Sequence, residues 1–364
     1  MKAENLPMIR NIPAARPRRE SGFSLIELMI AVALGLIILA ALTSFFVSTS
    51  ANRSEMERNT RQLENGRYAI DTLREDLNLA GFYADLAPGV TPAWATPAAC
   101  PAAIGDLSFT LVPAYAAPVP IFGYALGAGA PATCVPDIKA NTDVVVVRRF
   151  NTEAFTLAQA QASTPSSHPA NRQFYIQISE CSEDPPLTPF VVDVGSGAGF
   201  SLRKLNCTSI ADLWRLREHT YYVRTWSTVA GDNIPTLVRR EVNVTAGGVV
   251  VDTVPLVEGI DNLRVDYGVD NTGDGQPDVW TRCDAASPCD ATAWANVTAA
   301  KIYVLSRNID PTPNYTDKKL YSLGLWGKID PAIGDAYKRH VYSTQIVMPN
   351  RSGPREPQMA AAPP

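Results

Sequence analysis

One acidic residue lies inside the longest apolar stretch of the chain. From Phe23 to Val47 the sequence is apolar except for Glu27 and a few hydroxyl-bearing residues. A block of this length exceeds the roughly 20 residues that a membrane-spanning helix requires. A carboxylate inside such a helix costs about 2.5–3.5 kcal/mol on insertion scales, and residues of this kind usually have a function. Glu27 is therefore the first candidate for a functional side chain.

A second group of candidate ligands lies between two predicted strands, in the segment DNTGDGQPD at residues 270–278. Oxygen ligands at alternate positions, with a glycine that permits a sharp bend, can surround a calcium ion. The candidate ligands are Asp270, Thr272, Asp274, Gln276 and Asp278. Thr272 replaces the usual Asp or Asn and no Glu occupies the twelfth position, so the full EF-hand pattern is not met. The segment is either a shortened calcium loop, which makes calcium the one cofactor suggested, or a polar hairpin loop without an ion.

The cysteines form a third candidate group, and their number is even. They are Cys100, Cys134, Cys181, Cys207, Cys283 and Cys289. Because no CxxC pair occurs, disulfides in an oxidising compartment are a simpler interpretation than a zinc or redox site. Loop closure favours the neighbours Cys283 and Cys289, and Cys100 could pair with Cys134 across a segment rich in Ala and Pro. The full connectivity stays open.

No catalytic motif accompanies these groups. The histidines His168, His219 and His340 are scattered, and the sequence has no GxSxG, HExxH or P-loop pattern. The net charge of −4 provides no basic field that would favour nucleic acid as a partner. We therefore expect neither an enzyme nor a nucleic-acid-binding protein, and a membrane-anchored periplasmic enzyme or binding module stays as the alternative class.

The segment before the apolar block is polar and basic, in residues 1–22. A secretory signal peptide has a shorter apolar region that is followed by a small-residue cleavage site, whereas here Gly22 precedes the apolar block. Basic residues stay on the cytoplasmic side of the membrane, so we expect everything after residue 47 to face the periplasm.

The next segment predicts an amphipathic helix over residues 48–84. No proline occurs between Pro17 and Pro88. Met56, Leu63, Ile70 and Leu77 recur every seven residues and predict one apolar stripe that faces a core. Gly81 is a suitable stop for the helix.

The remainder predicts a head rich in β-structure. Strands are expected at residues 143–149, 173–179, 220–226, 236–244, 263–269, 300–306 and 340–348, and an irregular loop region at 84–140. Residues 221–226 and 237–242 are expected to pair in antiparallel fashion. The predicted fold class is α+β, with a long N-terminal helix packed on an antiparallel sheet. The predicted divisions are 1–22, 23–47, 48–84, 85–350 and a flexible tail at 351–364.

The hexapeptide GFSLIE at residues 22–27, after a basic leader and before an apolar helix, resembles the cleavage motif of type IV prepilins and type II secretion pseudopilins. The resemblance implies cleavage between Gly22 and Phe23 by prepilin peptidase, N-methylation of Phe23 and polymerisation through the apolar helix. Cleavage would create a free amine on Phe23, four residues from Glu27. In a fibre, the amine of one subunit could pair with Glu27 of its neighbour and set the axial register.

The segment VEGIDNL at residues 257–263, with the Asp-rich segment after it, is similar to the PilW family of minor pilins, and the similarity continues weakly through 340–348 to Asn350 and Arg351. This resemblance implies a minor pilin that helps to initiate or assemble a type IV pilus. Its partners would be other minor and major pilins, prepilin peptidase and the inner-membrane assembly platform. The head would be periplasmic at first and would later lie at the pilus or cell surface. A minor pseudopilin of a type II secretion system is the alternative within the fibre class.

Overall fold

The computed structural model describes residues 22–84, 86, 93–96, 100–101, 103–109, 116–162, 172–184, 190–245, 248–330 and 334–355. Residues 1–21 of the predicted leader, His168 and residues 356–364 of the predicted tail lie outside these ranges. The chain divides into two compact units, Met1–Met56 and Glu57–Pro364.

Helix α1 runs from Leu25 to Asn78. Its start is stabilised by Glu27, whose carboxylate accepts the backbone N–H of Ser24 at 2.9 Å, as the third helical residue does in a capping box. The helix ends six residues before the predicted limit. Gly81 follows it with a φ of +75° and donates its N–H to the carbonyl of Arg148, because glycine tolerates the left-handed conformation that helix ends often require.

The face of α1 that packs on the head differs from the predicted stripe. The buried positions are Gln62, Gly66, Ala69, Ile70, Leu73, Asp76 and Leu77. Met56 and Leu63, which we expected in the stripe, are 69% and 47% exposed. The seven-residue spacing failed here because the inward positions of the first head-facing turns hold Gln62 and Gly66. Because neither residue has an apolar side chain, the spacing of apolar residues does not identify this face of the helix as buried.

The head is built mainly of strands. They are β1 (Ala93–Ala95), β2 (Ala116–Pro118), β3 (Ile121–Tyr124), β4 (Val144–Phe155), β5 (Phe174–Ile178), β6 (Phe190–Val194), β7 (Leu213–Arg224), β8 (Thr236–Thr245), β9 (Gly248–Glu258), β10 (Ile260–Val269), β11 (Val279–Thr281), β12 (Val297–Arg307), β13 (Tyr321–Ser322), β14 (Lys328–Ile329) and β15 (Arg339–Val347). Short helices are α2 (Leu157–Ala160), α3 (Ala291–Ala295) and α4 (Pro349–Ser352), with 3-10 turns at Ile104–Leu107, Ala125–Gly127, Gly324–Trp326 and Gly353–Arg355.

Two antiparallel sheets hold most of these strands; β1 pairs with β2 in parallel and β13 with β14 in antiparallel fashion, each as a separate pair. The first has the order β11-β10-β12-β15. The second has the order β3-β4-β7-β5-β6, and β8 and β9 extend it from the other half of the long strand β7. The predicted pairing of 221–226 with 237–242 is confirmed, since Tyr221 lies opposite Arg239 and Val223 opposite Leu237.

The main core lies between the head-facing part of α1 and strands of both sheets. Leu73 and Leu77 of α1 are fully buried in it, together with Val145 of β4, Tyr222 of β7 and Ile302 of β12. A helix covering antiparallel sheets is the α+β architecture that the sequence predicted, and it places buried side chains of α1 in one core with strand residues far away in sequence.

Candidate functional site

The predicted processing site lies at the exposed start of α1. An added Cβ on Gly22 would meet no atom within 4 Å, and Phe23 is 89% exposed. Glu27 lies one turn further along the helix, with a carboxylate oxygen 2.9 Å from the backbone nitrogen of Ser24. An open peptide bond between Gly22 and Phe23 is the geometry that a peptidase requires. Glu27 also has a role within the subunit, as a cap of the helix start, that sequence reasoning did not identify.

The apolar part of α1 after this site is exposed in the described chain. Ile26, Ile37 and Phe46 are 64%, 65% and 73% exposed. The segment is long and apolar enough to cross a membrane, by its length and composition. Side chains of this kind are stable in hydrocarbon or against other apolar helices and costly in water.

A buried polar cluster, which we call the Asp76 cluster, joins the end of α1 to the second sheet. Asp76 is 4% exposed and lies 2.7 Å from Nε of Arg149, 2.6 Å from Nδ1 of His219 and 2.9 Å from the hydroxyl of Tyr221, which donates to it. Burial opposes the charged form, but His219 and Arg149 outweigh it and hold the pKa of Asp76 well below the ordinary 3.8. Burial, and then Asp76, raise the pKa of Tyr221 well above its usual value.

Sequence reasoning missed the Asp76 cluster. Asp76 follows Arg74 and Glu75 in a mixed-charge segment, which has the composition of a solvated helix face. Its partners lie 73 to 145 residues away along the chain, and no local spacing indicates such a contact. The cluster encloses His219, which is 6% exposed, so the histidine serves helix docking and is closed to a substrate.

A second row of polar contacts joins α1 to the first sheet. The amide of Gln62 donates to the carbonyls of Ser306 and Lys338 at 2.9 and 3.0 Å, and the guanidinium of Arg74 donates to the hydroxyl of Thr344 at 2.8 Å. The helix approaches the sheet closely at Gly66, where an added Cβ would lie 2.1 Å from the ring of Tyr342. Helix and sheet are therefore fitted at specific positions and not only by apolar burial.

The Asp-rich loop is organised by hydrogen bonds. Asp270 is 1% exposed and accepts the backbone N–H groups of Gly273 and Gly275 at 2.6 and 3.0 Å. Asp278 accepts the N–H of Thr272 at 3.0 Å and that of the preceding residue at 2.7 Å. The carboxylate of Asp274 accepts the N–H of Gln276 within its own turn. The segment forms a polar turn, which both interpretations of its sequence require.

Three of the five candidate calcium ligands lie together: the hydroxyl of Thr272 is 3.4 Å from a carboxylate oxygen of Asp270 and 3.4 Å from one of Asp278. Among the described residues, the one group of three acidic, Cys or His side chains close enough to share an ion is Cys181, Glu183 and Cys207, and both cysteines are bonded to each other. Arg355 instead donates to Asp270 at 3.1 Å. Burial opposes the charge of Asp270, but the loop N–H groups and Arg355 hold its pKa below the ordinary value. Backbone N–H groups and a guanidinium already bond to carboxylate oxygens that an ion would need, and a calcium site here stays a prediction.

All six cysteines are paired. The bonds are Cys100–Cys134, Cys181–Cys207 and Cys283–Cys289. They include the two pairings that the sequence suggested. Each closes a loop of the head, which is compatible with an oxidising compartment.

The outermost C-terminal residues of the described chain are also held in place. Arg355 donates to Asn296 at 2.8 Å and to Asp270, and the guanidinium of Arg351 donates to the carbonyl of Ala295. Residues 351–355, which the sequence placed in a tail, thus form contacts with α3 and the Asp-rich loop.

His340 lies at the start of β15 beside Tyr342, with ring centroids 4.7 Å apart.

Comparison with known proteins gives two family matches. Residues 17–43 match the prokaryotic N-terminal methylation motif, and residues 220–350 match the family of the type IV pilus-assembly protein W. No curated protein matches the chain. A type IV-like pilin from Thermus thermophilus is similar in structure at 15% identity, over 50% of this chain and 85% of that chain, with a TM-score of 0.23. A score of this size carries no weight for the fold.

The methylation motif at the start of an apolar helix, followed by an antiparallel head, is the organisation of a type IV pilin-like subunit. The match over part of the head is more specific: residues 220–350 are similar to the PilW family of minor pilins. That family consists of structural, non-enzymatic proteins.

Proposed function

We propose that the chain is processed and assembled as a subunit that helps to initiate or extend a type IV pilus. Prepilin peptidase cleaves between Gly22 and Phe23, Phe23 is N-methylated, and the apolar segment after it holds the subunit in the inner membrane before assembly. The observation that carries the proposal is the methylation motif joined to an exposed apolar helix. The head faces the periplasm and later the pilus surface, and the chain has no enzymatic activity.

Glu27 is proposed as the assembly residue. In the single subunit its carboxylate accepts the N–H of Ser24, so the oxygens lie beside the point where cleavage exposes the amine of Phe23. In a fibre the unpaired charge of Glu27 in an apolar surrounding can be neutralised by the amine of a neighbouring subunit. Partners are other minor and major pilins and the inner-membrane assembly platform. The PilW match favours a pilus over a type II secretion pseudopilus.

Two variants test this function in cells that make prepilin peptidase and pili. Glu27→Ala should insert in the membrane at least as well as the wild type, because a costly charge is removed, but should be lost from sheared fibres. Glu27→Asp keeps the charge and should retain part of the incorporation. The measurement is the amount of this chain in sheared fibres relative to membranes, by quantitative mass spectrometry.

Processing has its own control. Gly22→Leu should remain uncleaved, because a bulky side chain obstructs the approach of the peptidase to the backbone. A mature wild-type chain that retains residues 1–22, or normal incorporation of Glu27→Ala, would contradict the proposed processing and assembly.

A further inference from the structure

Strand β15 lies at one edge of the first sheet. It pairs with β12 from Arg339 to Val347, and it is the last strand of its sheet in the described part of the chain. Its pairing with β12 has no register shift over nine residues. A long, regular edge strand presents unpaired N–H and C=O groups, which are a template for pairing with another chain.

The hydrogen bonds between β15 and β12 show which backbone N–H and C=O groups of β15 point away from β12. Met348 N–H donates to Thr298 at 2.9 Å, and Asn308 N–H donates to the carbonyl of Lys338 at 3.0 Å. In an antiparallel pair, residues alternate between those bonded to the partner and those facing away. The even-numbered residues of β15 therefore bond to β12. The N–H and C=O groups of Val341, Ser343, Gln345 and Val347 face the open edge.

The edge strands β9 and β6 of the second sheet have protection that β15 lacks. Strand β9 contains Pro255 and Asp252 and has a register shift against β8, and β6 contains Asp193 within only five residues. Prolines, charges, bulges and short length are the usual means of preventing edge pairing. After Arg339 and His340, β15 continues as VYSTQIV, with neither a charge nor a proline, and the side chains of Ser343, Gln345 and Val347 are exposed.

We propose that β15 is a docking edge that receives, in antiparallel pairing, an extended strand from a different pilin subunit. The inference rests on the proposed function and adds the surface through which the head meets its neighbour. The fitting partner strand is uncharged and rich in β-branched residues, since charged side chains next to Val341 and Val347 would be desolvated on pairing.

The direction of β15 argues against a second copy of this chain as the partner. Contacts advance together along α1 and β15: Gln62 reaches Lys338, Gly66 lies against Tyr342, and Arg74 reaches Thr344. The helix and the strand thus run in the same direction. Two copies pairing β15 with β15 in antiparallel fashion would have oppositely directed α1 segments, whereas subunits inserted in one membrane by their N-termini share one polarity.

Other edges of a second copy fit poorly as well. Strand β11 runs antiparallel to β10, and so antiparallel to β15, but has only three residues. Strand β9 is interrupted by Pro255, which cannot donate to a ladder. Because β15, β11 and β9 of a second copy are poor partners, the strand that pairs with β15 belongs to a different pilin and contains neither a proline nor charged residues.

Photocrosslinking in cells with a complete set of pilus proteins tests the inference on the full-length chain. A benzophenone amino acid is placed at Gln345, and the matched control carries it at Val229, which is 67% exposed in the loop after β7. We expect an adduct of this chain with one other pilin from position 345 and none from position 229. No adduct at 345, or an adduct of two copies of this chain, would overturn the inference.

A backbone substitution separates edge pairing from simple proximity. Ser343→Pro removes an outward N–H and leaves every bond to β12, whereas Ser343→Ala removes the same side chain and keeps the N–H. With the probe at 345, the proline variant should lose adduct by about tenfold, equivalent to one or two backbone hydrogen bonds, and the alanine variant should retain it. If non-reducing gels show that the proline variant misfolds, Ser343→Lys replaces it. An unchanged adduct in a folded Pro or Lys variant refutes strand pairing.

The same cells distinguish the two levels of failure. If the chain is absent from sheared fibres, the proposed function fails. If the chain is present in fibres but position 345 forms no adduct with another pilin, only the docking edge fails.

Discussion

At the residue scale, the charges in this head have partners that local sequence cannot identify. Asp76 is held by Arg149, His219 and Tyr221, and Asp270 by Arg355. Both carboxylates lie among other polar residues in the sequence, which indicated no partner for Asp76 and left a calcium ligand and a plain polar loop as alternatives for Asp270. Motif spacing was informative for Gly22–Glu27, where the chemistry is contained in six consecutive residues, and failed where it depends on tertiary contacts.

Removing the Asp76 charge should destabilise the head. Asp76→Asn leaves Arg149 buried beside a neutral amide, and breaking a buried pair in this way costs about 3–5 kcal/mol. The matched control is Asp71→Asn on the same helix, whose pair with Arg74 is largely exposed and should change stability by less than about 1 kcal/mol. Urea unfolding of the detergent-solubilised chain measures both. Equal effects of the two variants would contradict the role of the cluster.

Acid should reveal the same cluster. The folded pKa of Asp76 lies below its unfolded value of 3.8. Its contribution is therefore present above about pH 4 and is lost as the pH falls below that value toward the folded pKa. We expect the stability difference between wild type and Asp76→Asn to shrink over this interval. A difference that stays constant down to pH 2 would show that Asp76 is not selectively stabilised as a carboxylate.

Calcium should have little effect on the wild type, since Arg355 and two backbone N–H groups already neutralise Asp270. Unfolding midpoints should be equal in millimolar calcium and in chelator. Arg355→Ala should lower stability in both buffers by about 1.5–3 kcal/mol, the worth of a hydrogen bond to a charged group, whereas Asp274→Ala should be nearly neutral. A calcium-dependent rise of the wild-type midpoint that Asp274→Ala abolishes would restore the calcium loop.

At the element scale, the predicted strand at 236–244 matches β8 closely, because alternating or β-branched runs report local preference. The strand predicted at 220–226 begins earlier, at Leu213, and the prediction missed β9. Strand β7 starts with a run rich in charged residues, and its pairing to both β4 and β5 outweighs local preference. The buried face of α1 was also predicted wrongly because of a tertiary contact. Gly66 lies in the interface between α1 and the sheet, where it packs against Tyr342 on the distant strand β15.

Gly66 provides a test of this close approach. In an exposed helix interior, replacing Gly with Ala stabilises by about 1 kcal/mol. Here the added Cβ would lie 2.1 Å from Cε2 of Tyr342, so Gly66→Ala should destabilise by about 1–3 kcal/mol. In a Tyr342→Ala background the same substitution should cost much less, which a double-mutant cycle detects as a coupling energy. Stabilisation of the otherwise wild-type chain by Gly66→Ala would disprove the tight contact.

At the scale of the whole molecule, the α+β class and the N-terminal motif could be predicted, because a long apolar block and a short processing signal are local properties. The arrangement of two sheets around one helix face could not, because the order of strands is decided by pairings between residues as far apart in sequence as Val145 and Tyr221. Tyr221 illustrates the limit: its pairing with Arg239 followed from a nearby turn, but its hydrogen bond to Asp76 spans 145 residues.

The division of the chain at Met56 and Glu57 leads to a final prediction. Side chains such as Ile37 and Phe46 in the first unit are exposed, whereas Leu73, Asp76 and Leu77 of the second are buried in the head. A chain of residues 57–364 secreted to the periplasm should therefore be soluble, form the same three disulfides and unfold cooperatively.

The matched control, residues 79–364, differs from it only by the loss of the head-facing part of α1. It exposes the apolar surface that Leu73 and Leu77 cover, so it should aggregate or retain free thiols. Non-reducing mass spectrometry and thermal unfolding compare the two. A folded 79–364 chain with all three disulfides would show that α1 is dispensable for the head, and an unfolded 57–364 chain would show that residues before Glu57 are required.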